Sequence, residues 1–173
     1  LSTVERKQEL MADLGVDILY IVHFNDGFAK LAPQDFVDQY LVALHAKTVV
    51  AGFDYTYGKK DIANMQTLST YAKDRFEIVT VAEHDYQGHK IGSTLIRENL
   101  DQGQVAAANE LLGYVYQTTG EVVHGEARGR ELGFPTANIE SQKPERLPGI
   151  GIYAVRLLVR GQWYWGMASI GRN

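Results

Sequence analysis

The stretch that most constrains this chain is residues 120–138, G-E-V-V-H-G-E-A-R-G-R-E-L-G-F-P-T-A-N. Val122 and Val123 read as the end of a strand. Gly120 precedes them, and Gly125, Gly129, Gly133 and Pro135 follow at short intervals, with Arg128 and Arg130 among them. Glycine permits turns with positive φ and close approach of the backbone to another group. Successive N–H groups in such turns form an anion-binding concavity. Just past a rigid proline, Thr136 and Asn138 add a hydroxyl and an amide, oxygen donors of the kind found around Mg²⁺ and phosphate. The plain alternative is a polar, glycine-rich surface loop. Two guanidiniums and a P-T-A-N ending distinguish the stretch from a Gly/Ser linker.

The rest of the composition sets bounds. A chain of 173 residues makes one domain or two small ones. The net charge of −4 argues against a general nucleic-acid binder while leaving room for a local cationic pocket. There is no cysteine, hence no disulfide, thiolate metal site or catalytic thiol, which suits a reducing cytoplasm. No apolar run approaches the ~20 residues of a membrane span, so no membrane partner is expected. The five histidines lack metal-ligand spacing, and His124 reads as a structural residue at a strand end.

Read in order, Ser2 with Glu5 fits a capping box before a helix that Gly15 ends. Residues 17–24, D-I-L-Y-I-V-H-F, read as a strand buried on both faces. Pro33 opens a helix whose face carries Phe36, Tyr40 and Leu44. Strands are predicted at 47–51 and 76–82, with a helix at 61–73 between them. A polar turn around Gly88 leads to helices at 93–100 and 105–112. That alternation predicts parallel α/β. After Gly113 helical periodicity stops. Residues 114–123, 151–160 and 162–170 read as strands, with Arg160-Gly161 as a hairpin turn. Trp163, Tyr164 and Trp165 alternate across a strand and serve packing on both faces. The boundary is placed at 113: an α/β domain over 1–113 and an antiparallel β-barrel over 114–173.

A second constellation lies in the α/β part. Gly52-Phe53-Asp54-Tyr55-Thr56-Tyr57-Gly58-Lys59-Lys60 leaves a strand at its carboxyl end, where ligands bind in open α/β sheets. Ser93, Thr94 and Arg97 open a helix whose N-terminal N–H groups favour anions. Each piece alone has a plainer reading: an N-cap, a solvated lysine pair, a turn aspartate.

Residues 120–138 resemble the G-x-V-V-x-G-x-x-R-G-x-x-L-G-x-P-T-A-N signature of riboflavin kinases, at Gly120, Val122, Val123, Gly125, Arg128, Gly129, Leu132, Gly133, Pro135, Thr136, Ala137 and Asn138. Residues 52–59 resemble the G-F-D-F-x-F-G-K motif of bacterial FAD synthetases. Ile91-Gly92-Ser93-Thr94-Leu95-Ile96-Arg97 is similar to their I-S-S-T-x-I-R motif, with Gly92 in place of the first serine. In the bifunctional riboflavin kinase/FMN adenylyltransferase family, a nucleotidyltransferase-like α/β domain precedes a kinase barrel, the order seen here.

The resemblance implies a multifunctional transferase of flavin biosynthesis. Its kinase half makes FMN from riboflavin, and its nucleotidyltransferase half makes FAD from FMN. ATP is the cosubstrate and Mg²⁺ the metal in both steps, small molecules are the partners, and the setting is cytoplasmic. It implies ATP and phosphate contacts from Gly52, Phe53, Asp54, Ser93, Thr94 and Arg97 in the transferase domain. In the kinase domain it implies them from Gly125, Arg128, Gly129, Gly133, Pro135, Thr136 and Asn138, with Thr136 and Asn138 on the metal. The transferase H-x-G-H motif and the kinase's catalytic glutamate have no counterpart here. The chain is therefore expected to be a fragment with both domains incomplete, inactive by itself and with no catalytic base to name. The alternative is a non-catalytic flavin- or nucleotide-binding module.

Overall fold

The computed structural model describes residues 1–86, 88–125, 128–131, 133–141 and 145–171; the side chains of His89, Arg128 and Arg130 lie outside that description, as does Leu132 of the glycine-rich signature. The chain forms two compact units, residues 20–90 and residues 1–19 with 91–173. The described residues combine α/β texture with one parallel strand pair and three antiparallel pairs.

In the unit of residues 20–90, β1 (Thr48–Gly52) and β2 (Glu77–Val81) pair in parallel, with Val49 opposite Ile78 and Ala51 opposite Thr80. Short helices α2 (Asp26–Ala29) and α3 (Pro33–Phe36) precede them, with Pro33 in the first turn as expected. A π-helical segment, Val37–Val42, continues α3. Val37, Met65 and Leu68 form the buried core, with Val49, Ala51 and Ile78 packed on it. An aromatic chain runs alongside. Phe28 meets Phe36 and Tyr40 edge-on, Phe36 stacks on Tyr57 with ring centroids 5.4 Å apart, and Tyr57 stacks on Tyr55 at 6.2 Å. The helix expected over 61–73 is reduced to α4 (Leu68–Ala72). Asn64 is the reason: its Oδ1 accepts from the N–H groups of Gln66 and Thr67, at 2.9 and 3.0 Å. That local turn outcompetes the helix.

Residues 17–24 are not the buried strand their sequence predicts. They join no ladder, and Ile18, Tyr20, Ile21 and Phe24 are exposed. An apolar run becomes a strand only when a neighbour takes up its backbone hydrogen bonds. Among the described residues β1 pairs with β2 alone. The turn around Gly88 joins β3 (Asp85–Tyr86) to β4 (His89–Lys90), an antiparallel pair setting Asp85 opposite Lys90.

In the other unit, α1 (Val4–Asp13) is capped by Thr3 rather than Ser2: the Thr3 hydroxyl accepts from the Arg6 N–H at 3.2 Å. Gly15 and Val16 close its end on the carbonyls of Ala12 and Met11. Helices α5 (Ser93–Asp101) and α6 (Val105–Leu112) bury Ile96, Leu100 and Ala108 together. Beyond them β5 (Glu121–Val123) pairs antiparallel with β6 (Asn138–Glu140). Between these lies a helical turn, α7 (Arg128–Glu131), where the sequence reads only as turns. Residues 114–120 form no strand, so the ladder begins only at Glu121. The long hairpin of β7 (Gly151–Val159) and β8 (Gln162–Ile170) turns at Arg160-Gly161, as the sequence predicts, with φ of 51° and 81°. Its alternation puts Trp163 and Trp165 on one face, flanking Arg156 at 4.9 and 5.5 Å, and Tyr164 on the other.

A clasp joins α5 to the segment entering β7. Arg146 donates Nε to Asp101 Oδ1 at 2.7 Å and Nη2 to Oδ2 at 2.5 Å. The Gly149 N–H donates to the Leu100 carbonyl at 2.7 Å, and the Tyr153 hydroxyl to the Gly149 carbonyl at 2.5 Å. The Tyr116 hydroxyl donates to the Arg146 carbonyl at 2.6 Å. A Cβ at Gly149 would collide with the Asp101 carbonyl, so the close approach requires glycine.

Truncating the fully buried Leu100 in Leu100→Ala is expected to cost about 2–5 kcal/mol, and Gly149→Ala about 1–3 kcal/mol through overpacking, both read by urea unfolding. The hydrogen bonds from Arg146 hold the Asp101 carboxyl below the usual carboxylate range. A carboxyl lowered in the folded state stabilises fully above its unfolded pKa of about 4 and loses that contribution as pH falls through the folded value. Asp101→Asn is therefore expected to flatten the acid limb of the stability curve below about pH 4 and to lower stability at neutral pH. An acid limb unchanged by the substitution would count against the clasp.

Candidate functional site

In the glycine-rich stretch two pairs of the predicted residues come close together. In the register of β5 and β6, Val123 faces Asn138. A Cβ on Gly125 would occupy the place of the Asn138 amide nitrogen, so the Asn138 side chain lies across the bare backbone of Gly125. On the far side of the loop, a Cβ on Gly129 would collide with the Phe134 carbonyl and stand 3.2 Å from the Thr136 hydroxyl. The Phe134 N–H closes the loop on the Gly129 carbonyl at 2.7 Å. Gly133 makes the return with φ of 79°, and Pro135 leads into the exposed Thr136 and Asn138. Asn138 opens β6, two residues after Thr136. The two close approaches, Gly125 with Asn138 and Gly129 with Thr136, make up the cradle. The Arg128 side chain lies outside the described residues.

This cradle is a set of hard, neutral oxygen donors rather than a carboxylate cage. Among the described residues no group of three or more His, Cys, Asp or Glu could hold a metal ion. Mg²⁺ is commonly bound by few protein ligands together with water and substrate phosphates. Thr136 and Asn138 fit that role.

The second constellation has two parts, one in each compact unit. In the first, Gly52 ends β1 and the chain turns, with the Tyr55 N–H bonded to the Gly52 carbonyl at 3.0 Å. The Phe53 N–H ties the turn to the end of β2 through the Val81 carbonyl at 2.9 Å, and the Tyr57 N–H bonds the Ala63 carbonyl at 3.1 Å. Asp54 accepts from Lys90 Nζ at 2.5 Å, and that ammonium also stands 4.7 Å from the centre of the Phe53 ring. The Lys90 hydrogen bond keeps the Asp54 carboxyl below its usual range, and Asp54 in turn raises the Lys90 ammonium. Beside the turn lies a cavity of about 410 Å³, lined by Gly52, Tyr55, Tyr57, Phe36, Val50 and Leu68. Burial pushes the Tyr55 and Tyr57 phenols up, so both stay neutral. Stacked phenol faces and apolar walls suit a planar aromatic ring.

In the second part, Ser93, Thr94 and Arg97 stand exposed on the first turns of α5, while Ile96 and Leu100 anchor the helix from its other side. Gly92 is the N-cap and supplies no side-chain cap. The first N–H groups of the helix are thus left to other acceptors.

Sequence reasoning missed Lys90. It lies 36 residues from Asp54, and nothing in local spacing joins the two. Only the β3–β4 hairpin brings it there.

Comparison with known proteins extends the geometry. The FAD synthetase family matches residues 1–95 and the riboflavin kinase family residues 112–173. A relative from Listeria monocytogenes, named bifunctional riboflavin kinase/FMN adenylyltransferase, is 51% identical over 173 residues, covering 100% of this chain and 55% of its own length. Relatives of the same name from Bacillus subtilis and Escherichia coli K12 are 40% and 33% identical, over 99% of this chain and 54% and 55% of theirs. The chain spans about half the length of these curated relatives. A crystal structure described as a macrolide-efflux protein from Streptococcus pneumoniae superposes with a TM-score of 0.91 at 37% identity, over 99% of this chain and 55% of that one. Among the described residues no helix is long and apolar enough to cross a membrane. By these matches, joined to the motifs at 52–59, 91–97 and 120–138, the chain belongs to the FAD synthetase family, and riboflavin kinase sequence makes up its C-terminal part.

Proposed function

We propose that this chain carries the nucleotide-binding elements of both halves of a bifunctional riboflavin kinase/FMN adenylyltransferase. Residues 1–113 belong to a nucleotidyltransferase-like domain and residues 114–173 to a kinase domain of barrel type, and both work in the cytoplasm on small molecules. In the kinase half the γ-phosphoryl of ATP passes to riboflavin, giving FMN and ADP. In the transferase half FMN attacks the α-phosphorus of a second ATP, giving FAD and pyrophosphate. The observation that carries the reading is the cradle, in which Gly125 and Gly129 are held against Asn138 and Thr136 with no room for a side chain.

Phosphoryl-type transfers ask a protein mainly to position groups and balance charge. In the kinase half, Gly125, Gly129 and Gly133 let the backbone close around the phosphates, and Pro135 fixes the approach of Thr136. Arg128 adds cationic charge. Thr136 and Asn138 hold Mg²⁺, which when bound neutralises phosphate charge. In the transferase half, the α5 N-terminus with Ser93, Thr94 and Arg97 grips phosphate oxygens. Gly52 lines the aromatic cavity that receives a planar ring, and Phe53 and Asp54, next on the same turn, contact ATP.

The test uses the complete gene product with riboflavin, ATP and Mg²⁺, and separates the flavins by chromatography. FMN followed by FAD is expected. Thr136→Ala should lower FMN formation about 10²-fold while leaving FAD formation from supplied FMN intact, and Arg97→Met should do the reverse. Gly129→Ala should behave like Thr136→Ala, because its methyl displaces the Phe134 carbonyl and the Thr136 hydroxyl. ATP binding without any flavin product would instead establish a non-catalytic nucleotide-binding module.

A further inference from the structure

The turn at 52–57 is anchored at most points by its own backbone bonds and by aromatic stacking, through Phe53 N–H, Tyr55 N–H, Tyr57 N–H and the Tyr55–Tyr57 pair. The side chains of Phe53 and Asp54 are held differently. Both are gathered by one residue, Lys90, at 4.7 Å from the Phe53 ring centre and 2.5 Å from Asp54 Oδ2. Asp54 is a carboxylate just past the carboxyl end of a parallel pair, on the turn that the function proposed above assigns to ATP. A carboxylate there repels phosphate oxygens unless a cation compensates it. Lys60 also acts on Asp54 electrostatically, but Lys90 is the cation in hydrogen-bond contact.

We propose that Lys90 is a positioning residue for the adenylyltransferase half, which neutralises Asp54 and fixes Phe53 so that the turn accepts a nucleotide triphosphate. This rests on the function proposed above. The ammonium does two things at once. It cancels the carboxylate charge at short range, and it seats the Phe53 ring by cation–π attraction. Its own position is set by the β3–β4 hairpin, where Lys90 faces Asp85 across the ladder. Lys90 directly precedes the Ile91-Gly92-Ser93-Thr94 run in sequence, so the residue that holds the first transferase motif also leads into the second.

The consequence is specific. Without Lys90 the uncompensated Asp54 opposes the incoming ATP, which a loss of fold would not imitate. In the complete gene product, Lys90→Met is expected to raise the KM for ATP in FAD formation about tenfold, with a smaller change in kcat, an effect on ground-state binding more than on the transition state. Lys90→Glu, which sets a second negative charge beside Asp54, should raise that KM further than Lys90→Met does. Lys90→Arg should stay within about threefold of the wild type, because the guanidinium keeps the charge. Riboflavin phosphorylation by the same samples reports that the protein remains folded. A Lys90→Met enzyme with an unchanged KM for ATP, or a Lys90→Glu enzyme no worse than Lys90→Met, overturns the proposal. A wild-type protein that binds ATP but forms no FAD overturns the adenylyltransferase reading instead. Calorimetric ATP binding by the same variants then decides on Lys90: a tenfold weaker Kd in Lys90→Met with near-normal affinity in Lys90→Arg supports it, and equal affinities reject it.

Discussion

Much of the glycine-rich half depends on a space too small for a methyl group. Where Gly125 meets Asn138 and Gly129 meets the Phe134 carbonyl, two strands of one loop approach with only hydrogens between them. That approach brings Thr136 and Asn138 beside the turn that begins at Arg128, and it lets the Phe134 N–H reach the Gly129 carbonyl. The donors stand exposed, so burial does not hold them in place. Backbone closeness does. A loop built this way can offer oxygens to a charged ligand without first paying for their desolvation.

The aromatic chain does for the other unit what the glycines do here. Phe36 sits in the helix that Pro33 opens, stacks on Tyr57, and Tyr57 stacks on Tyr55. The turn leaving β1 is thereby fastened to the same cluster that buries Val37 and Leu68. Phenols kept neutral by burial add polar tips to an apolar wall without adding charge. In the same turn, the one formal negative charge, Asp54, is matched by Lys90 at hydrogen-bond distance.

How far the sequence could be read divides along physical lines. Local signals with a strong stereochemical cause were legible: Pro33 at a helix start, Gly15 at a helix end, the Arg160-Gly161 turn, and the register of alternation that separates Tyr164 from the two tryptophans. The members of the Gly125–Asn138 cradle were legible because their spacing is distinctive. The 61–73 helix was overestimated because apolar periodicity says nothing of Asn64, whose carboxamide offers the backbone a competing turn. The 17–24 run was misjudged because a strand is a property of two chains, and the neighbour cannot be read from one. Lys90 was hidden for the same reason. Its contact with Asp54 depends on a hairpin's trajectory, not on any local pattern.

The clasp around Leu100, Asp101, Arg146, Gly149 and Tyr153 bears on inheritance. Helix α5, about 13 Å long, carries Ser93, Thr94 and Arg97 at one end and Asp101 at the other. Its far end is fastened to residues that follow the glycine-rich stretch in sequence. A recombination joint placed between α6 and β5 would part Asp101 from Arg146 and Leu100 from Gly149. Swapping either side for that of a distant relative would leave a guanidinium without its carboxylate and, where Gly149 is replaced, a methyl group against a carbonyl. The two sides can be exchanged without that loss only among sequences that keep both ends of this fastening.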